Sequence, residues 1–128
     1  MPGDRRARRG DAGSLEAQVM SIVWASESPV AVRDVLDALN ATRRDPLAYT
    51  TVMTVLSRLE AKRALKRSRV GRAYAYEPRA ADEAGLAVRH VLDSFGDAAV
   101  VRFVDEARAD PSVMDRLRRL LEDGEPGT

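Results

Sequence analysis

The sequence predicts a mostly α-helical chain in which three short helices are closed by a β-hairpin and followed by further helices. Three observations predict it. Apolar residues recur at three- and four-residue spacing in three segments before Arg63; the pattern switches to period two over "ALKRSRVGRAYAYEP"; helical spacing then returns from about Ala81 to Glu122. With 128 residues, 45% hydrophobic and only 5% aromatic, the chain supports one modest core with an appended element and is too short for two ordinary domains.

Ser14 precedes "LEAQVMSIVWAS", where Leu15, Val19, Ile22 and Val23 fall on one stripe, so Ser14 is read as the N-cap of the first helix. Pro29 breaks that pattern. The second helix is predicted from about Ala31 to Ala41 with Val32, Val35, Leu36 and Leu39 inward, and "TRRDP" ends it. The third helix is "AYTTVMTVLSRLEAKR". On a helical wheel Tyr49, Val52, Met53, Leu56 and Leu59 cluster on one side, and Thr51, Thr54, Val55, Arg58 and Lys62 on the other. In the hairpin, Leu65, Arg67 and Arg69 share one side of the first strand and Tyr74 and Tyr76 one side of the second, with Gly71 in the turn. Beyond it, Leu86, Val91, Leu92 and Phe95 form one apolar face; Val100, Phe103, Val104 and Ala107 form the next; Val113, Leu117, Leu120 and Leu121 form a last one after Pro111. Helices this short need a partner for those faces, and a second copy of the chain is the simplest one.

Composition excludes several functions. There is no cysteine, which removes disulfides, thiolate metal sites and cysteine nucleophiles together. His90 is the single histidine, and one ligand does not make a metal site, so a structural or surface role is expected; no metal and no cofactor is predicted. The sequence carries no G-x-S-x-G, no H-E-x-x-H and no glycine-rich phosphate loop, and an enzyme is not expected. No stretch approaches the roughly 18 apolar residues that span a bilayer, and "MPGDRRARRGDAG" is not followed by an uninterrupted apolar run. A cytoplasmic protein without membrane insertion is the expectation.

Charge is unevenly distributed. Residues 1 to 79 carry 15 Lys/Arg against 9 Asp/Glu, and residues 80 to 128 carry 6 against 11, recovering the chain totals of 21 and 20. A polyanion would therefore prefer the first part. Three helices and a basic hairpin are the order of a winged helix-turn-helix domain, in which the third helix enters the major groove and the two- or three-stranded wing approaches the backbone. That order explains a third helix with threonine and arginine where a solvated helix would use Glu and Lys, because threonine hydroxyls bond bases or phosphates and arginine bonds guanine. The candidate DNA contacts are Tyr49, Thr50, Thr51, Thr54, Arg58 and Lys62 on that helix and Arg67, Arg69, Arg72, Tyr74 and Tyr76 on the wing, with at least one of the two tyrosines packed beneath it. Trp24 is read as a core anchor and the N-terminal arginines as a solvated tail. The division expected is a disordered basic tail over 1–13, a winged-helix domain over 14–79, a dimerisation region over 80–123 and a disordered tail over 124–128. The competing reading is a winged-helix protein-interaction module that never reads DNA.

"LEAQVMSIVW", "VRDVLDALN", "AYTTVMTVLSRLEAK" and "GRAYAYEP" together resemble the penicillinase-repressor (BlaI/MecI) family of winged-helix transcriptional regulators, over about residues 14 to 123. The resemblance implies a repressor that binds dyad-symmetric double-stranded operators as a homodimer, with β-lactam-response genes as targets. It places Thr51, Thr54 and Arg58 at the recognition-helix contacts and Arg72 and Tyr76 in the wing. It makes Leu92, Phe95, Val100, Phe103, Val104, Leu117, Leu120 and Leu121 the candidate dimer contacts. "VVRFVDEA" is similar to the segment cut in some members by a regulatory metalloprotease, which puts the candidate bond between Arg102 and Phe103. The chain departs from the pattern in four places: Arg102 stands where cleaved members carry Asn, no cysteines are present for copper sensing, Arg63 and Ala64 follow Lys62 where many relatives have Gly or Asn, and the tail with Arg5, Arg6, Arg8 and Arg9 is longer and more basic.

Overall fold

The structure, a computed structural model, describes residues 14–124. The predicted tail over 1–13 lies outside those residues, and so does the predicted tail over 124–128 apart from Gly124. The described chain runs α1 (Leu15–Ala25), β1 (Val30–Ala31), α2 (Val32–Asn40), α3 (Tyr49–Ala61), β2 (Leu65–Val70), β3 (Ala73–Pro78), α4 (Glu83–Phe95), α5 (Asp97–Ala109) and α6 (Pro111–Asp123). It forms two compact units that divide inside α4, between Leu86 and Ala87. The first unit holds three helices and a three-stranded antiparallel sheet in the order β1-β3-β2, which is a winged helix.

Each element of the first unit has a local cause. Ser14 caps α1 by accepting the Ala17 amide at 3.0 Å, and the Asp34 carboxylate accepts the Ala31 amide at 3.1 Å at the start of α2. Asn40 fixes the turn between α2 and α3: its Oδ1 accepts from the Leu47 amide at 2.8 Å while its Nδ2 donates to the Leu47 carbonyl at 3.2 Å. One side chain thereby satisfies both backbone groups of a loop residue and sets where α3 begins. The core beneath is built from Val19, Met20 and Val23 of α1, Val32, Val35, Leu36 and Leu39 of α2, Val52, Val55, Leu56 and Leu59 of α3, and Leu65 and Tyr76 of the sheet. All four α2 positions expected inward are buried. Trp24 packs against this core and donates its indole N–H to the Ala80 carbonyl at 3.0 Å, which ties the chain leaving the wing back to α1.

α3 ends in a left-handed residue. The Ala64 amide donates to the Leu59 carbonyl and the Arg63 amide to the Glu60 carbonyl, both at 2.9 Å, and Arg63 has φ +66°. This is a Schellman closure with arginine where glycine is usual. The residue that departs from the family pattern thus takes the left-handed position, with the Cβ cost that a glycine there would not bear. In the hairpin, Arg67 pairs with Tyr76 and Arg69 with Tyr74, and Gly71 turns the chain at φ +66°. β1 was not legible as a strand: it is two residues long and forms because β3 has a free edge, where Val30 pairs with Tyr76.

The second unit, by itself, is α5 and α6 with the remainder of α4. Asp110 caps α6 by accepting from the amide and the hydroxyl of Ser112, at 3.0 and 2.9 Å. Ala107 is its one buried residue among those described. No helix among the described residues is long and apolar enough to cross a membrane.

Candidate nucleic-acid interface

The buried positions of α3, Val52, Val55, Leu56 and Leu59, fix which way the helix faces. At about 100° per residue the opposite arc carries Thr50, Met53, Thr54 and Ser57, all exposed. This is a correction to the helical wheel read from sequence. Val55, expected outward, is buried; Met53, expected inward, is 43% exposed, and Tyr49 is 42% exposed. Ser57 and Met53 are outward residues that sequence reasoning missed. The signal that locates them is the run Val52, Val55, Leu56, Leu59, an unbroken three- and four-residue series once Val55 is allowed inside.

Thr51, Thr54 and Arg58 lie on the flank of α3 that meets the start of α1. Together with Ser14, Leu15, Glu16 and Val55 they line a shallow groove of about 400 Å³. Glu16 is the acidic member of that groove. Its carboxylate sits 2.8 Å from Lys62 Nζ and 4.0 Å from the Arg58 guanidinium. Two of the expected DNA-contacting cations therefore share a carboxylate on a neighbouring helix. The pairs are more than half exposed on the cationic side, so they orient the side chains more than they stabilise the fold. At the other end of α3, Ala48 provides no side-chain cap, and the Arg33 guanidinium of α2 lies 5.6 Å from the Tyr49 ring. First-turn amides without a capping side chain, beside a cation, suit a phosphate oxygen.

The wing presents cations on an ordered frame. Arg69, directly across from Tyr74, lies 5.4 Å from the centre of its ring, and Arg67, on the diagonal, lies 4.2 Å from it. Arg67 also approaches Glu60 of α3 at 3.7 Å, linking wing to helix, and Lys66 lies 3.9 Å from Glu77. Arg72 follows Gly71 in the exposed turn. Tyr76 does not belong with these residues. At 4% exposure it is part of the core, a correction to its place among the wing contacts. Period two puts both tyrosines on one face, but Tyr76 pairs with Val30 at the middle of the sheet, whereas Tyr74 lies beyond the end of β1.

The second unit exposes apolar side chains in quantity. Ala87, Val88, Val91, Leu92, Ala99, Val100 and Phe103 line an apolar groove of about 450 Å³ between α4 and α5. Phe95, Leu120 and Leu121 are exposed as well. Val104 and Leu117 are half-buried. Arg102, next to Phe103, points outward and pairs with Asp105 at 3.1 Å within α5.

Comparison with known proteins bears on this geometry. The family model of the penicillinase repressor matches residues 12–123. The transcriptional regulator BlaI of Mycobacterium tuberculosis, in strains CDC 1551 / Oshkosh and ATCC 25618 / H37Rv, is 46% identical over 122 residues, spanning 90% of this chain and 86% of its own. A crystal structure of a MarR/EmrR family transcriptional regulator from Acinetobacter sp. ADP1 aligns with a TM-score of 0.44 at 22% identity, covering 92% of this chain and 78% of that one.

Proposed function

The chain belongs to the penicillinase-repressor family of DNA-binding transcriptional regulators and is not an enzyme, and on that premise we propose that it blocks transcription by holding a dyad-symmetric operator as a homodimer. The observation that carries the reading is the outward arc of α3. Short hydroxyl side chains are raised on a rigid core and bracketed by Arg58 and Lys62 on one flank and the ordered wing arginines on the other. Phosphate neutralisation by those cations supplies most of the affinity, lowering log affinity by about 0.9 per phosphate for each unit of log salt. The α3 arc supplies sequence choice.

Dimerisation is supported by the second unit, which buries only Ala107 among its described residues. Three helices with their large apolar side chains outside do not hold themselves together, and burial of a Phe or Leu contributes about 1.5 to 3 kcal/mol. A two-fold copy covers the same groove on both chains at once and joins two α3 helices in one particle, as a dyad operator requires. β-Lactam-response genes are the targets that the family's name suggests. Induction by a regulatory metalloprotease at Arg102–Phe103 would require α5 to unwind first, since the bond lies in mid-helix and proteases take extended substrate.

A footprint of the protein on the DNA upstream of its own gene tests the reading. Two protected half-sites about one helical turn, or a multiple of it, apart and related by a dyad are expected. Protection of a single half-site would remove the dimer, and no protection at any concentration that saturates random DNA would favour a protein-docking role.

A further inference from the structure

Met53 is the one large apolar side chain on the outward arc of α3, at the edge that carries Glu60, with Thr50 and Ser57 beside it toward the centre and Thr54 beyond them. None of these three neighbours is long enough to grip a guanine edge with two hydrogen bonds, and Arg58 and Lys62 lie toward the opposite edge of the helix, beside Glu16. Around Met53 the arc therefore offers methyl and thioether surface with single hydroxyl donors, and no fork of donors. On the major-groove edge of a base pair the apolar feature is the C5-methyl group of thymine. A flexible, polarisable thioether conforms to such a group, and the threonine methyls toward the centre of the arc extend the apolar contact.

We infer that Met53 is a specificity-determining residue, reading the C5-methyl of a thymine in each operator half-site. The inference rests on the operator-binding reading and adds the base class and the residue that selects it. An exposed methionine tolerated on a solvated face would have no base preference attached to it, and that difference is measurable.

The test uses the full-length chain. Duplexes are enriched from a random pool, and in the best-bound duplex each thymine is replaced in turn by deoxyuridine, which lacks the C5-methyl group and keeps the hydrogen-bonding edge. Affinities are measured for the wild type and for Met53→Ala, whose thermal stability is checked alongside. At one thymine per half-site the replacement should weaken wild-type binding about three- to fivefold, the effect of one buried methyl-sized group. Met53→Ala should bind the two duplexes equally well. The inference is overturned if deoxyuridine costs both proteins the same at every position, or if Met53→Ala binds the selected duplex as tightly as the wild type. If no duplex is enriched at all, the operator-binding reading falls and this inference falls with it.

Discussion

Arg63 occupies a left-handed backbone position that most side chains avoid, at φ +66°, and the Schellman closure of α3 depends on it. Relief of that conformation by glycine is separable from loss of the arginine side chain by comparing Arg63→Gly with Arg63→Ala. The glycine variant should be more stable than the alanine variant by about 1 kcal/mol, since only glycine adopts this region without a Cβ penalty. Denaturant midpoints give the difference, and equal midpoints would mean that the turn relaxes. Glu16 is the second residue with a decisive place. Its carboxylate shares Lys62 and Arg58, and DNA phosphates compete for the same cations. Glu16→Gln should tighten binding to random duplex several-fold and steepen its salt dependence, by about 0.9 for each further phosphate engaged. An unchanged salt slope would leave Glu16 as a purely structural partner.

At the scale of elements, α6 depends on its cap. Hydrogen bonds from the Ser112 hydroxyl and amide hold the Asp110 carboxyl below its ordinary value of 3.8. A folded-state value depressed in this way stabilises the protein above the unfolded value and loses that contribution as pH falls through the folded one. Asp110→Ala should therefore lower Tm at neutral pH and cost progressively less below pH 3.8, as thermal scans at both pH values would register. A constant difference across the range would mean that the carboxylate is not the cap.

What the sequence made legible at this scale follows from periodicity and stops where periodicity stops. The α2 stripe of Val32, Val35, Leu36 and Leu39 is buried as its spacing requires. α3 was placed correctly along the chain but turned about its axis, because apolar residues occupy both its inner arc and part of its outer one. Its apolar character places Met53 inward on the wheel, yet it lies on a side that faces away from the core. Tyr74 and Tyr76 are equivalent in a two-residue repeat, and the two-residue β1 that separates their fates has no pattern of its own. The Glu16–Lys62 pair spans 46 residues, and the Trp24 tie to Ala80 spans 56. Both are contacts that local spacing does not carry.

For the whole molecule, the division inside α4 separates a unit with its own core from a unit whose apolar surface is largely outside. Leu86 packs on the first core and Ala80 accepts the Trp24 N–H, so a stop after Leu86 preserves that core where an earlier one would cut into it. The chain truncated after Leu86 should sediment as a folded monomer and bind operator DNA much more weakly than the intact chain, having lost the coupling of two half-sites. A truncated chain that still sediments as a dimer would relocate the interface.

The central claim is that the α3 arc and the wing read a particular DNA sequence. Fluorescence anisotropy on the duplex upstream of the protein's own gene, against a shuffled duplex of equal composition at two salt concentrations, tests it most directly. Binding tighter to the native duplex by about 100-fold or more, with affinity for both falling as salt rises, is the predicted result. Equal, weak binding to the two duplexes at both salt concentrations would contradict it.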